Sequence, residues 1–232
     1  MAARKKSTAR KTKPLSEYKR KRDFTKTDEP AGKVTRPRSR RALHFVIQKH
    51  AASHLHFDFR LELDGVMKSW AVPKGPSYDP GVRRLAMEVE DHPIEYNTFE
   101  GTIPKGQYGG GTVMLWDRGT YEPEAGGGED ALRDGYARGD LKFVLHGKRL
   151  HGGWVLVRMR REESGRAQWL LIKHRDEHAD PDYDVVGDVQ TSVTTGRTME
   201  EIASGKRRVW NSNRSAATRA ATATRKKARS RA

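Results

Sequence analysis

Hydrophobic and polar residues alternate along much of the middle of this chain, which is the pattern of half-buried β-strands. The clearest case is HLHFDFRLEL at residues 54–63, where large apolar side chains occupy every second position. Similar short runs lie on both sides of it, separated by turn signals such as the LDG at 63–65. The predicted strands are residues 43–50, 54–63, 66–72, 83–91, 111–123, 141–147, 152–161 and 168–175.

The sequence predicts only two short helices. One lies within residues 126–140 and has acidic residues at its start, and the other covers residues 198–205 and ends at a glycine. Many short strands with few helices predict a mostly β (α+β) domain, built either as a sandwich or as a closed barrel. We expect its globular part to run from about Leu43 to Ala203.

Positive charge is concentrated at the two ends of the chain. The net charge is +16, yet residues 42–205 carry 20 basic and 26 acidic side chains, so the excess lies in residues 1–41 and 206–232. Such blocks predict disordered basic tails, except that residues 16–32 include a Tyr and a Phe and are expected to fold in part onto the domain. The tails either serve solubility or, as we favour, bind nucleic acid through salt-dependent phosphate contacts.

The composition excludes several classes of protein. There is no cysteine, so a disulfide framework and thiolate metal sites are excluded, and any metal must be held by His, Asp or Glu. The apolar runs are too short to span a membrane, and the basic N-terminus lacks the apolar segment of a secretory signal. A cytoplasmic location is therefore expected.

The polar face of the strand at residues 54–63 has the residue types of a metal site. His56 and Asp58 are two residues apart and project from the same face of a strand. His50 ends the preceding strand, so a hairpin would bring it beside them and create a His–His–Asp ligand set. His54 shares this face and is a rival ligand. The alternative is an exposed strand whose histidines are simply hydrogen-bonded.

Arg60 continues the same face and suggests an anion. A guanidinium beside a cation site is useful if a phosphate lies between the two and accepts hydrogen bonds from the arginine. A salt bridge from Arg60 to Asp58 or Glu62 is an equally good explanation.

A second polar cluster precedes Pro93. Glu88, Glu90 and His92 alternate at the end of a predicted strand, and His92 could give a proton to a leaving oxygen or a phosphate oxygen. Tyr96 could add a hydroxyl donor. By itself, this cluster is better explained as an ordinary polar strand end. The glycine-rich IPKGQYGGGTV at residues 103–113 lacks the spacing of a Walker motif and predicts a tight turn.

Two longer segments resemble a known family. FVIQKHAASHLHFDFRLELDGVMKSWAVPKGPS at residues 45–77 and VEDHPIEYNTFEGTIPKGQYGGGTV at 89–113 are similar to the 3′-phosphoesterase domain of the bacterial DNA ligase D family. The similarity extends more loosely over residues 18–203 and leaves out the basic tails.

The resemblance implies a small closed β-barrel with a few short flanking helices, in a domain at residues 18–205 between basic tails at 1–17 and 206–232. It implies a manganese-dependent enzyme, with other divalent metals as alternatives, that removes a 3′-phosphate or a 3′-terminal ribonucleoside from DNA during non-homologous end joining. The chain lacks a ligase adenylation signature, so we expect a stand-alone, monomeric, nucleoid-associated enzyme that acts on primer–template 3′ ends beside a separate ligase and end-binding protein. The alternatives are a non-catalytic DNA-end-binding protein and a phosphoesterase that acts on RNA.

The resemblance also implies roles for individual residues. The metal ligands would be His50, His56 and Asp58, and His54 is not among them. The catalytic residues would be His92, Arg60 and Tyr96, and the phosphate-binding residues would be these three together with Arg22. Supporting roles would fall to Asp23, Glu29, Gln48, Lys74, Arg84 and Glu90.

Overall fold

The computed structural model of the protein describes residues 14–35, 42–163 and 165–205. Most of both predicted basic tails, residues 1–13 and 206–232, lies outside the described residues. The described part of the N-terminal segment packs against the domain, since Leu15 and Tyr18 are buried. The predicted boundary at residue 18 therefore falls inside the first helix of the chain, Ser16–Arg20.

The core of the fold is a closed antiparallel barrel. Nine strands form one sheet in the order β1-β2-β3-β4-β9-β8-β7-β6-β5, and β1 also pairs with β6. Eight strands thus close the barrel, while β5 pairs with β6 outside the circle. The closed barrel is confirmed and the sandwich is not formed. The strands are β1 (Leu43–Ala51), β2 (Leu55–Leu63), β3 (Val66–Val72), β4 (Arg84–Glu88), β5 (Gly101–Ile103), β6 (Gly111–Pro123), β7 (Asp140–Gly147), β8 (His151–Glu163) and β9 (Arg166–Lys173).

The helices are short and lie around the barrel. Both predicted helices are present, as α2 and α4, whereas α1, α3 and a 3-10 helix at Ile94–Thr98 were not predicted. The start of α4 is a capping box, in which Thr198 and Glu201 each bind the other's backbone N–H through their side chains. The α-helices are α1 (Ser16–Arg20), α2 (Gly128–Arg138), α3 (Val185–Asp188) and α4 (Met199–Ala203).

The barrel interior is filled by large apolar side chains. Phe57, Phe59 and Trp70 point inward and are at most 2% exposed. Because successive strand residues point to opposite faces, their neighbours Asp58 and Arg60 lie on the outer face of the barrel wall. Other elements cover this face, so the polar side chains there are buried as well.

No helix in the described part of the chain is long and apolar enough to cross a membrane.

Candidate active site

Strands β1 and β2 bring the predicted metal ligands together. Their antiparallel register places His50 opposite His56 and Gln48 opposite Asp58. Residues directly opposite each other share a face, so all four side chains project from the outer wall of the barrel. The hairpin predicted from the sequence is therefore present, with the polar face that the alternation indicates.

The His50, His56 and Asp58 side chains could hold a metal ion. One ligand atom from each lies within 4.8 Å of the other two. His50 Nδ1 is 3.4 Å from Asp58 Oδ2, and His56 Nε2 is 3.6 Å from Asp58 Oδ1. Two imidazoles and one carboxylate form a donor set that suits a divalent transition metal.

The second nitrogen of each histidine is held by the backbone. His50 Nε2 donates to the carbonyl of Gly109 and His56 Nδ1 donates to the carbonyl of His54, each at 2.9 Å. Since a carbonyl oxygen only accepts, these nitrogens carry hydrogens, and in the neutral imidazoles that bind a metal ion the nitrogens facing Asp58 would carry the lone pairs. Such outer contacts orient the imidazoles of metal sites, so this arrangement fits a metal ion. His54 takes part through its backbone, and its side chain is exposed.

His50, His56 and Asp58 form what we call the metal-type cluster. Arg60 connects this cluster to a second group of side chains around His92. Its Nη2 donates to Asp58 Oδ2 at 3.0 Å, so the salt bridge considered from the sequence is present. Burial would raise the pKa of Asp58, but the charge of Arg60 and the hydrogen bonds from the two histidines hold it well below the usual range. Asp58 is thus an anion, as a metal ligand must be.

Two guanidinium groups flank His92. Arg60 Nη1 is 2.9 Å from His92 Nδ1, and Arg22 Nη2 is 3.2 Å from His92 Nε2. His92 Nδ1 is also 2.8 Å from the carbonyl of Glu90. A hydrogen on Nδ1 serves that carbonyl and lets Nε2 accept from Arg22, whereas a hydrogen on Nε2 lets Nδ1 accept from Arg60. Burial, and then the charges of Arg60 and Arg22, hold the pKa of His92 well below its ordinary value. The imidazole is therefore neutral in this state.

The N-terminal segment supplies Arg22 to the site. Arg22 Nε donates to Glu29 Oε1 at 2.8 Å and Nη1 donates to Glu90 Oε1 at 3.0 Å. The Tyr96 hydroxyl donates to the same Glu29 oxygen at 3.1 Å. Burial, followed by the nearby Glu29 carboxylate, raises the pKa of Tyr96 well above its ordinary value, so its hydroxyl remains a donor.

Half of the predicted supporting residues contact this group. Gln48 accepts from Arg60 Nε at 2.9 Å and donates to the carbonyls of Tyr96 and Phe99. Glu29 and Glu90 bind Arg22, as described above.

The other three predicted supporting residues lie apart. Within the described residues, Asp23 bonds to its neighbours Thr25 and Lys26 on the surface. Lys74 and Arg84 do not line the cleft that contains the histidines. Arg84 is two residues before Ala86 on β4, so it lies on the same side of the strand, which faces the barrel interior.

Sequence reasoning missed two side chains at the site. Lys21 Nζ donates to Glu90 Oε2 at 3.1 Å and to the Tyr108 hydroxyl at 3.2 Å. Tyr108 belongs to the glycine-rich turn, which also provides the Gly109 carbonyl that binds His50. The one available signal was the aromatic residue inside this glycine-rich turn.

The fold and the site define a small β-barrel in which a candidate metal centre adjoins an arginine- and histidine-lined anion site. Residues 48–158 match the family described as the DNA ligase D 3′-phosphoesterase domain, and the chain belongs to this family. The resemblance seen in the sequence is thus confirmed.

Three relatives show the extent of the similarity. The multifunctional non-homologous end joining protein LigD of Pseudomonas aeruginosa is 50% identical over 192 residues, which are 81% of this chain and 22% of that protein. The multifunctional non-homologous end joining DNA repair protein LigD of Mycobacterium tuberculosis is 46% identical over 144 residues, 62% of this chain and 18% of its own length. LigD of Mycolicibacterium smegmatis is 40% identical over 164 residues, 70% of this chain and 21% of its own length. The chain therefore spans about a fifth of the length of these relatives.

Proposed function

We propose that this chain is a divalent-metal-dependent phosphoesterase that trims DNA 3′ ends in non-homologous end joining. Its substrates would be a 3′-phosphate and a 3′-terminal ribonucleoside. The observation that carries the proposal is the direct contact between Arg60 of the anion site and Asp58 of the metal-type cluster, at 3.0 Å. Two facts support it: the chain belongs to the DNA ligase D 3′-phosphoesterase family, and its relatives are described as non-homologous end joining proteins.

The charges at the site suit a phosphate once a metal ion is bound. Three cations and three buried carboxylates lie there, so the formal charges of these six groups cancel. A divalent cation would leave an excess of two positive charges, which matches a phosphate dianion. Manganese accepts His and carboxylate ligands, so we propose Mn²⁺, with other divalent metals as alternatives. The six charged residues are Lys21, Arg22, Arg60, Glu29, Asp58 and Glu90.

In this proposal, His50, His56 and Asp58 hold the metal ion, which when bound would act as a Lewis acid on a phosphoryl oxygen. The guanidinium groups of Arg60 and Arg22 bind the remaining phosphate oxygens, because their planar donor pairs match phosphate geometry.

Tyr96 adds a third donor to this phosphate group. Its raised pKa keeps its hydroxyl protonated, and in this state the hydroxyl binds Glu29. The phosphate would compete with the Glu29 carboxylate for that proton.

His92 is the proposed acid catalyst. A neutral His92 cannot give up a proton to a leaving oxygen, and both flanking arginines oppose its protonation. A phosphate dianion between these arginines would offset their charge and raise the pKa of His92. We infer that substrate binding itself converts His92 to the imidazolium that the acid step requires.

We also propose the cellular setting. All the side chains named above come from one chain, so a monomer suffices. It would act on primer–template ends at the bacterial nucleoid, and a ligase and an end-binding protein would complete the joining.

The first experiment follows the end chemistry of a 5′-labelled primer–template that carries a 3′-phosphate or one 3′-ribonucleotide. It compares manganese with chelator, and wild type with His50→Ala and His54→Ala. Loss of an outer contact to a metal ligand costs about 10- to 100-fold in activity, so loss of a ligand should cost at least that much. We expect His50→Ala to lose metal-dependent conversion to a 3′-hydroxyl and His54→Ala to retain it.

Tight DNA binding without conversion under any metal would contradict this proposal and identify a non-catalytic end-binding protein. Faster conversion of a matched RNA substrate than of DNA would instead favour an RNA phosphoesterase. Loss of activity in His54→Ala would show that the ligand set has been assigned incorrectly.

His92→Ala separates acid catalysis from metal binding. We expect turnover to fall by about 10²- to 10⁴-fold, the usual contribution of a general acid. The Mn²⁺ dissociation constant, measured by titration calorimetry, should stay within about threefold of wild type, because His92 contacts arginines and no metal ligand. Retained turnover would remove His92 from the mechanism.

A further inference from the structure

The cleft at the candidate active site is larger than a metal ion and a phosphate require. Its volume is about 620 Å³, within the range of pockets that enclose a drug-sized ligand. The charged side chains described above line one part of it. The rest is an apolar wall formed by Leu55, Ala71, Pro73, Met87 and Val89, and Arg166 lines the same cleft.

Strand register places Ala71 and Met87 of this wall on one face with Asp58. Asp58 is paired with Ala71, Ala71 with Met87, and Met87 with Gln168. Directly paired residues share a face, so this row runs along the outer side of the barrel from β2 to β9. Arg166 is two residues before Gln168 and projects from the same face. Three strand spacings separate Asp58 from β9, which is about 14 Å.

The apolar wall is open to solvent at its edges. Leu55 is 50% exposed, and Leu85, which lies on the outer face two residues before Met87 but outside the lining of the cleft, is 38% exposed. Arg166, at the far side of this wall, is exposed as well. An exposed apolar surface beside a charged site is expected where a ligand with both apolar and charged parts binds.

We propose that this apolar wall is the binding site for the terminal nucleoside of the DNA strand whose 3′ end lies at His50, His56 and Asp58, and that Arg166 binds a backbone phosphate of that strand. The proposal rests on the proposed function and names the part of the substrate that the charged residues leave without a contact. Apolar contact with a base and its sugar tolerates any sequence, as end processing requires. The distance of about 14 Å from Asp58 to β9 puts Arg166 beyond the terminal nucleoside, near the backbone.

Kinetics on a long and a short substrate test the role of Arg166. The long substrate is a primer–template with a 3′-phosphate, and the short one is thymidine 3′-monophosphate, which has no further backbone phosphate. For Arg166→Ala we expect KM on the primer–template to rise about tenfold, the effect of losing one charge-assisted hydrogen bond, with kcat unchanged. Activity on thymidine 3′-monophosphate should be unchanged, and Arg166→Lys should restore part of the loss.

The matched control is Arg175→Ala. Arg175 is also exposed but lines a different cleft, so its replacement should leave both substrates unaffected. The slope of log KM against log salt should also become less steep by about 0.7 to 0.9 in Arg166→Ala and stay unchanged in the control.

Met87 tests the apolar wall itself. Met87→Gln keeps the length of the side chain but makes it polar, and we expect KM for the removal of a 3′-terminal ribonucleoside to rise severalfold. Met87→Leu keeps the wall apolar and should behave like wild type.

Wild-type kinetics in every Arg166 and Met87 variant would overturn the proposal. That result would favour a protein partner as the ligand of the apolar wall. Binding of the same labelled primer–template, followed by fluorescence anisotropy in chelator, needs no hydrolysis. If the wild type converts no substrate, the proposed function fails. The DNA contact of Arg166 is still supported in that case if Arg166→Ala binds the primer–template more weakly than wild type. An unchanged dissociation constant in that variant overturns the contact whatever the enzyme does.

Discussion

Gln48 shows how one buried residue can organise the anion site. Its side chain is fully buried and makes three hydrogen bonds, one from Arg60 and two to the carbonyls of Tyr96 and Phe99. It thus fixes the guanidinium and the 3-10 helix that carries Tyr96 in one arrangement. The sequence predicted a supporting role for Gln48 only through the family resemblance, because a glutamine on an alternating strand has no local signal of its own.

Replacing Gln48 should therefore affect both stability and substrate binding. Gln48→Leu removes the acceptor of the buried Arg60 Nε–H, at about 1–3 kcal/mol for an unsatisfied buried donor, and takes one donor from each of two carbonyls. We expect the urea midpoint to fall by an amount that corresponds to about 2 kcal/mol or more, with an unchanged m-value, and KM to rise because Arg60 loses its partner. A Gln48→Leu protein as stable as wild type would show that the Arg60 guanidinium finds another acceptor.

At the scale of elements, the segment around α1 is part of the active site. Tyr18 is fully buried in a cluster with Tyr96, Phe99, Ile103 and Val113, and its hydroxyl donates to the carbonyl of Pro30 at 2.6 Å. This anchor holds the stretch that carries Arg22 against the barrel. The expectation that an aromatic-containing part of the basic arm folds onto the domain is in agreement with this packing.

Loosening the anchor should release the segment before the barrel unfolds. Tyr18→Ala removes a buried aromatic side chain, at about 3–5 kcal/mol, whereas Tyr18→Phe removes only the hydrogen bond to Pro30, at about 1 kcal/mol. The residues after Tyr18 are LysArgLysArg, which trypsin cleaves when they are accessible. We expect cleavage there to accelerate by about 100-fold in Tyr18→Ala and severalfold in Tyr18→Phe, as followed by mass spectrometry.

The exposed Tyr183 provides the control for this experiment, and Tyr183→Ala should be cleaved at the wild-type rate. Equal cleavage rates in all four proteins would mean that the segment opens independently of Tyr18.

The elements that sequence reasoning found and missed differ in how local their signals are. All eight barrel strands were predicted because alternation is visible within each strand. Strand β5 has three residues, too few for a periodic pattern, and it forms by pairing with β6. Barrel closure depends on the pairing of β1 with β6, which alternation does not encode, so the sequence alone left sandwich and barrel open.

The same distinction applies to the site. His50, His56 and Asp58 lie on one hairpin, so their spacing was sufficient to suggest a cluster. Lys21 reaches across 69 positions to Glu90 and 87 positions to Tyr108, and no local pattern reports such contacts. The supporting roles carried over for Asp23, Lys74 and Arg84 rest on the resemblance. Among the described residues, Asp23 bonds to Thr25, and neither Lys74 nor Arg84 lines the cleft.

At the scale of the whole molecule, charge is divided between the domain and the ends of the chain. We propose that residues 18–205 form the phosphoesterase domain and that the basic segments 1–17 and 206–232 add affinity for DNA. The interval 42–205 has six more acidic than basic side chains, so apart from the local cations of the active site it would repel a polyanion. The ten Lys and Arg residues of 206–232, with no acidic residue among them, could offset that repulsion.

A full-length variant with those ten basic residues replaced by Ser tests this division of roles. Each phosphate contact contributes about 0.7 to 0.9 to the slope of log K against log salt, so if half of the ten engage DNA the slope should fall by about 4. KM for a primer–template should rise steeply at low salt and converge with wild type at high salt, where screening removes the contribution of the tail. Turnover at saturating DNA should not change, because the tail contributes to encounter and affinity, whereas the chemistry depends on side chains of the barrel and the α1 segment. An unchanged salt slope would assign DNA binding to the domain itself, with Arg22, Arg60 and the proposed Arg166 contact as its cationic surface.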